Sequence, residues 1–594
     1  MRDKFNISIK KHKEISDEKK RRFKITGYFR LTVFILTALS VYFYFIQKPS
    51  VLFLLSAASG LAAFTALCIF HSRQRSQIKH AEGIIKINKE HLDRIDGLWT
   101  SFSDTGEEFS DTSHAYDSDL NITGKKSFFQ FLNITQTWHG RHSFASDLLS
   151  ASYSSEQINS RQQAVSELSK DTEFICSMQY IFSQTGNEEE PEKLISSLKD
   201  STPFSKNKIL KTVCSVLQIF VFAAAASALI FGTESLKAAA VCSVIVQAGL
   251  WAAGIAKTQK YLKNAPGAAF GLGSYSSAMQ AAEEAPFTSE KLCEISRKLK
   301  SEDFSASAAV KELALISSMI NARHNSLFYF ILNVFLLWDY RCAFRLEKWK
   351  EKYASVSESW FEALGEFESL LCFSVLPNIC EGTCIPEITD EFSTFKFEAA
   401  GHPMLQNDIR VTNNFACENN IFIISGSNMS GKTTFIRTVG INLVLANAGG
   451  FVCAEKMTYS PVSIAASIGV PDDLNEGISS FYAELKKIKN IIKTAEENPG
   501  TMFLIDEIFR GTNSSDRHTG AAAVISKLCG LNASGMITTH DLELCSLEEH
   551  HQRIKNFSFS EDYEGNEILF DYKIRPGRSQ TTNAVFLMKM TGII

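Results

Sequence analysis

Thirteen cysteines are spread thinly over 594 residues, and no two of them stand in a C-x-x-C pair. That spacing excludes the usual zinc-binding arrangements and leaves scattered, reduced thiols as the reading, as in a cytosol-facing protein. A large net charge is also missing: 61 Lys and Arg oppose 65 Asp and Glu, for a formal charge of −4. No whole-protein field therefore draws the chain to nucleic acid or to an anionic membrane, and any basic surface must be local. The sequence has no clear internal repeat. At roughly 150 residues per domain its length allows about four folding units, which excludes a peptide, a single small module or a disulfide scaffold. The mean hydropathy is near zero, but it averages over a very uneven distribution.

Charge is concentrated first at the N-terminal end, where residues 1–30 hold eleven Lys and Arg against four acids. This reads as a basic tail. Residues 31–46 and 51–70 then carry no charge at all, with Gln47, Lys48, Pro49 and Ser50 between them. A second pair of apolar runs occupies 212–231 and 238–256. Each run is near the ~20 residues that cross a bilayer core, so the pattern predicts two transmembrane hairpins and four spans. No small-residue cleavage site follows the first run, which argues against a secretory signal. Lys and Arg crowd the outer ends of both hairpins, while each connecting turn has a single Lys. The positive-inside rule then places the N-terminus and all large segments in the cytoplasm of a multi-pass membrane protein. A fifth apolar run, 327–338, is too short to span and reads as a buried core helix.

Between and after the hairpins, 76–208 and 259–376 have apolar residues at helical spacing, and 101–119 reads as an acidic loop or linker. From about residue 377 strand-like runs alternate with helical ones, as in an α/β domain. The expected division is a tail and first hairpin (1–75), a helical core (76–208), the second hairpin (209–258), the rest of the helical region (259–376) and an α/β domain (377–594).

The chemistry-bearing motifs lie in that last segment. The apolar run 421–425 leads directly into Gly426, Ser427, Asn428, Met429, Ser430, Gly431, Lys432 and Thr433, which fits G-x4-G-K-[ST] without a mismatch. In such a loop backbone N–H groups wrap phosphates, Lys432 reaches the β and γ oxygens, and the Thr433 hydroxyl ligates Mg²⁺. Thr434 follows at the start of a helix whose positive end faces the anion. These features predict a site for ATP and Mg²⁺. A second apolar run, 502–505, ends in Asp506 and Glu507; the first carboxylate can hold the metal and the second can act as general base. A third ends in His540 and Asp541, with His540 placed as a sensor of the γ-phosphate. Gly477 and Ser479 precede a helix and offer free donors for another anion contact.

Taken together, Gly401-His402-Pro403, GSNMSGKTTFIRTVG (426–440), EGISSFYAEL (476–485), LIDEIFRGTNSSD (504–516), ITTHDLEL (537–544) and RPGRSQTTNAVFLMKMTGI (575–593) resemble the ATPase domain of the MutS family. That family is the mismatch-repair branch of the ABC-type P-loop ATPases. A weaker similarity at 128–149 and 158–168 resembles the start of its helical core and lever region. The resemblance implies an α/β ABC-type ATPase domain preceded by an all-α lever region, here with the hairpins added. It also implies a homodimer with composite ATP sites, in which Ser479 acts on the partner's nucleotide and Asp516 lies near the subunit interface. Tyr572 matches a position where an aromatic ring stacks on adenine. Members that find mismatches carry an N-terminal domain with a Phe-x-Glu wedge; this sequence has the basic segment and first hairpin there. Its Phe559-Ser-Glu561 falls in the α/β domain instead.

The resemblance thus extends to the motor and not to mismatch recognition. It implies a membrane-anchored ATPase that couples ATP binding and hydrolysis to dimer closure, with double-stranded DNA as the expected partner and a partner protein as a source of the missing recognition. An ATP-driven membrane machine or a scaffold acting on a protein instead of DNA remains the alternative.

Overall fold

A computed structural model of the chain describes residues 1–46, 51–150, 153–185, 204, 208–263, 271–324, 326–427, 429–469, 480–509, 514–564 and 567–579. Asn428, Gly477, Ser479 and the turn at 47–50 lie outside the described residues, as does the motif segment 580–593.

The N-terminal two thirds are helical. Helices α1 (Arg2–Ile46) and α2 (Val51–Ile95) form a long antiparallel pair. They are followed by α3 (Trp138–Leu149), α4 (Ser155–Ser169) and α5 (Thr172–Ser183). A second antiparallel pair, α6 (Lys208–Phe231) and α7 (Glu234–Lys263), precedes α8 (Leu272–Glu284), α9 (Glu290–Leu299), α10 (Ala306–Asn321), α11 (Ser326–Leu336), α12 (Trp338–Tyr353) and α13 (Ser357–Ile379). Local signals set several of these starts. The Ser154 hydroxyl accepts from Gln157 N while the Gln157 side chain reaches back to the Ser154 N–H, a reciprocal capping box that opens α4.

The basic N-terminal segment differs from the tail expected of it. It is the first half of α1, docked on α2 and α5 through buried Phe5, whose ring stacks on His91 at 5.1 Å, and through ion pairs Arg2–Asp96, Lys11–Glu173 and Lys20–Glu82. The apolar second half of α1 and first half of α2 expose large side chains, with Phe45 78% and Leu52 77% accessible. Among the described residues, four helices are long and apolar enough to cross a membrane: Arg2–Ile46, Val51–Ile95, Ile209–Phe231 and Glu234–Lys263. The fifth apolar run is not a buried core helix. It forms α11, which packs on α7 and leaves Phe330, Ile331 and Phe335 exposed. Its length did exclude spanning, but only packing could decide which face was covered.

The residues from 387 onward form two sheets. Strands β1 (Glu387–Ile388), β2 (Thr394–Ala400), β3 (Asn413–Glu418) and β5 (Lys456–Tyr459) make a four-stranded sheet in the order β1-β5-β2-β3. Strands β4 (Ile421–Ser425), β6 (Ile464–Ser467), β7 (Met502–Asp506), β8 (Ser534–Thr539), β9 (Ile554–Glu564) and β10 (Glu567–Pro576) make a six-stranded one in the order β10-β9-β4-β8-β7-β6. Every pairing in the larger sheet is parallel except β9 with β10. All residues of β4, β6, β7 and β8 are buried, which is why these strands read as continuous apolar runs and not as alternating ones. Helices α14 (Lys432–Asn447), α15 (Ser480–Glu497) and α16 (Ser514–Gly530) accompany the strands. The 101–119 stretch is not a free linker: it carries short helical turns, and Asp119 is buried against this domain.

Candidate nucleotide site

The loop between β4 and α14 emerges where β4 lies between β8 and β9 in the sheet. Gly426 and Gly431 take left-handed conformations, φ 150° and 100°. A Cβ on Gly426 would come 3.0 Å from the Phe559 carbonyl oxygen, and one on Gly431 would come 3.0 Å from the Tyr572 ring. Both positions therefore need glycine for conformation and for space. Lys432 Nζ donates to the carbonyls of Gly426 at 2.8 Å and Ser427 at 2.7 Å, so its ammonium is held inside the curl of the loop. Ser430 Oγ donates to Ser427 O at 2.9 Å.

The end of β7 brings two carboxylates to this loop, and neighbouring β8 brings Thr538 and His540 beside them. Asp506 Oδ2 accepts from Thr433 Oγ1 at 2.8 Å, and its Oδ1 accepts from the Thr538 hydroxyl on neighbouring β8. Glu507 follows in a left-handed conformation, φ 52°, with its N–H donating to Thr538 O at 3.2 Å and Thr538 Oγ1 at 2.9 Å. That turn points its carboxylate toward His540, whose Nε2 is 2.9 Å from Glu507 Oε1. Hard oxygen donors from Thr433 and Asp506 at this separation fit Mg²⁺.

A cavity of about 610 Å³ opens here, lined on one side by Ser427, Met429, Ser430, Gly431, Lys432, Thr433, Thr434 and Glu507, and on the other by Leu405, Ile409, Val411, Phe559 and Tyr572. Tyr572 sits at an irregularity in β10, with φ 55°, stacked against Phe570 at 6.1 Å. Its carbonyl accepts from Asn413 Nδ2 at 3.0 Å, which ties β10 to β3. His402 is buried beneath, and loss of solvent together with the nearby Arg437 and Arg410 lowers its pKa to about 4, so it stays neutral. Asp516 lies exposed in the first turn of α16.

Sequence reasoning missed two residues at this site. Glu561 on β9 is buried and accepts the Ser427 hydroxyl; the Phe559-Ser-Glu561 triplet contains it, but only the β4–β9 register brings it to the loop. Asp119 accepts from Ile468 N at 2.6 Å and from Lys487 Nζ at 2.8 Å, and its carbonyl accepts from Arg437 Nε at 3.1 Å. It thereby joins the helical region to α14 and to α15. A mid-loop Asp amid other acids gives no sequence signal for such a role.

A strand, a glycine loop curled around a lysine, a helix, and two adjacent carboxylates at the end of a parallel strand define the site of a mixed α/β domain. Residues 422–593 match MutS domain V. Proteins called DNA mismatch repair protein MutS are similar over part of the chain. The one from Methanosarcina mazei is 33% identical over 180 residues, 30% of this chain and 20% of its own length. The one from Clostridium perfringens is 33% identical over 222 residues, 35% and 24% respectively, and that from Clostridium botulinum 35% over 180 residues, 30% and 19%. The C-terminal domain of this chain is thus similar to the MutS ATPase domain. It spans about a fifth to a quarter of the length of these relatives.

Proposed function

We propose that this protein is a membrane-anchored MutS-like ATPase that couples ATP binding and hydrolysis to closure of a homodimer on double-stranded DNA. The observation that carries the reading is the meeting of Thr433 with Asp506 and of Glu507 with His540 at the edge of one cavity. The glycine loop and the start of α14 bind the phosphates through backbone N–H groups, and Lys432 turns from the loop carbonyls to the β and γ oxygens. Thr433 and Asp506 are the side chains that would hold Mg²⁺, which supplies charge neutralisation at the phosphate oxygens. Glu507 takes the proton of the attacking water, and His540 orients that carboxylate and senses the γ-phosphate. Tyr572 stacks on the base. Ser479 of each subunit completes the site of the other.

The four long apolar helices are the anchors, with the basic first half of α1 on the cytoplasmic side. A partner protein would supply any lesion recognition.

The test is the ATPase rate of the detergent-solubilised full chain with homoduplex, mismatched and branched DNA at fixed low salt, since phosphate contacts are salt-sensitive. Stimulation by DNA is expected. Basal turnover that none of the three changes would reject DNA as the partner and leave a motor acting on a protein.

A further inference from the structure

Helix α11 is eleven residues long, SLFYFILNVFL, or ~16 Å at 1.5 Å per residue, about half the thickness of a bilayer core. It leaves Phe330 56%, Ile331 43% and Phe335 45% accessible. It packs on the second apolar hairpin, where the Trp251 ring of α7 stands edge-on to Tyr329 at 5.8 Å and to Phe330, at the margin of the contact, at 5.9 Å.

The polar contacts at its C-terminal end are of a particular kind. Leu337 takes a left-handed conformation, φ 47°, and stops the helix, which leaves the last carbonyls without helical partners. Gln247 Nε2, fully buried, donates to Val334 O at 3.0 Å, and Gln218 Nε2 donates to Leu336 O. These two glutamines interrupt the apolar runs 238–256 and 212–231. A helix end in water needs no such partners. In hydrocarbon each unbonded carbonyl is costly and must be satisfied from within the protein. The one acid at the bend is treated the same way: Asp339, fully buried, receives the Tyr329 hydroxyl at 3.0 Å and lies 3.1 Å from Arg323 Nε, while its N–H donates to Asn333 Oδ1 at 2.9 Å. Arg341 Nη2 closes the group on Gln218 Oε1 at 2.8 Å.

Gln247 lies nine residues from each end of the run 238–256, ~13 Å along the helix from either end. The C-terminal end of α11 is therefore level with the middle of that run. We propose that α11 is a half-length membrane helix: it enters the cytoplasmic half of the bilayer beside the second hairpin, is keyed to it by Gln218 and Gln247, and presents Phe330, Ile331 and Phe335 to lipid acyl chains. The proposal rests on the reading of that hairpin as membrane-spanning. It makes α12, which begins one residue after the bend, the direct mechanical link from the bilayer to the helical levers; α12 is tied to them by Trp349 Nε1 donating to Ala309 O at 2.7 Å.

The experiment is site-specific photo-cross-linking of the full chain in membranes whose phospholipids carry an alkyne-tagged acyl chain. p-Benzoylphenylalanine replaces Phe330 or Phe335 in turn, and Leu229, 87% accessible near the tip of the second hairpin, as the reference. Lipid adducts at all three positions are the expected result. Adducts at 229 but at neither 330 nor 335 would overturn the half-helix while leaving the hairpin in place. A cross-linked dimer in place of a lipid adduct at 330 and 335 would also overturn it, in favour of a second copy of the chain on this face. Absence of lipid adducts at all three would overturn the membrane reading of the hairpin and the proposal with it.

Discussion

Thr433 and Asp506 stand 73 residues apart in the chain, and their side chains meet at 2.8 Å, one at the first turn of a helix and the other at the last residue of a strand. This contact aligns the loop after β4 with the end of β7, and it sets Glu507 one residue beyond. Replacing Glu507 by Gln keeps size and shape but removes the carboxylate proposed as the base. ATP binding should persist while turnover falls about 10²-fold or more, within the range general-base catalysis supplies. Lys432→Ala should instead lose binding. Fluorescent-nucleotide titration beside a phosphate-release assay separates the two, and near-normal turnover of Glu507→Gln would reject Glu507 as the base.

Asp119 and Lys487 form the electrostatic tie between the helical region and α15, at 2.8 Å, with Asp119 almost wholly buried. Lys487→Met leaves that carboxylate with fewer partners, at a cost of about 1–3 kcal/mol. Asp119→Asn should cost a comparable amount, and the double substitution should cost less than the two together. Urea denaturation of the four proteins gives the coupling directly; strict additivity would show that the pair contributes nothing.

Glu368 in α13 is fully buried, and the loss of solvent raises its pKa to about 7 despite hydrogen bonds from Gln136 N, Thr137 N and the Thr137 hydroxyl. A folded-state pKa above the ordinary carboxylate range means that the native state holds the proton more tightly than the unfolded chain. The resulting stability is fully present below the ordinary range, is lost as the pH climbs toward 7, and is level above it. The thermal midpoint should therefore fall between pH 5 and pH 7.5, and Glu368→Gln should flatten that fall. An unchanged slope in the variant would assign the pH dependence to other groups.

Gly365 lies where α13 crosses α3, and a Cβ there would come 2.6 Å from His139 Cβ and 2.7 Å from the His139 carbonyl carbon. Alanine gains up to ~1 kcal/mol in helix propensity, but overpacking against backbone that cannot swing aside costs about 1–3 kcal/mol. The clash should win, so Gly365→Ala is expected to lower the denaturation midpoint. A higher midpoint would show that the two helices separate freely.

The glycine loop, Lys432, Thr433 and the paired acids were legible because each is a short contiguous signal whose local geometry follows from residue type. The continuous apolar runs at 421–425 and 502–505 marked strands covered on both faces for the same reason. Other features were not legible. The basic N-terminal segment read as a tail because nothing local shows that Phe5 stacks on His91 or that Lys11 meets Glu173. The run at 327–338 read as core because its composition cannot say which face is covered. The acidic stretch at 101–119 concealed Asp119, whose partners Ile468 and Lys487 are more than three hundred residues away.

By itself, then, the sequence determined the strand, loop and helix that cradle the site, the long apolar helices and the likeness of the C-terminal domain to MutS domain V, since these depend on residue type and spacing within a few turns of chain. Only the tertiary structure decided that Glu561 faces Ser427, that Asp119 bridges the helical region to the α/β domain, and that Gln218 and Gln247 cap the end of α11. Each of those depends on the register of segments far apart in the chain, which is set by packing and by the need to satisfy every buried polar group at once.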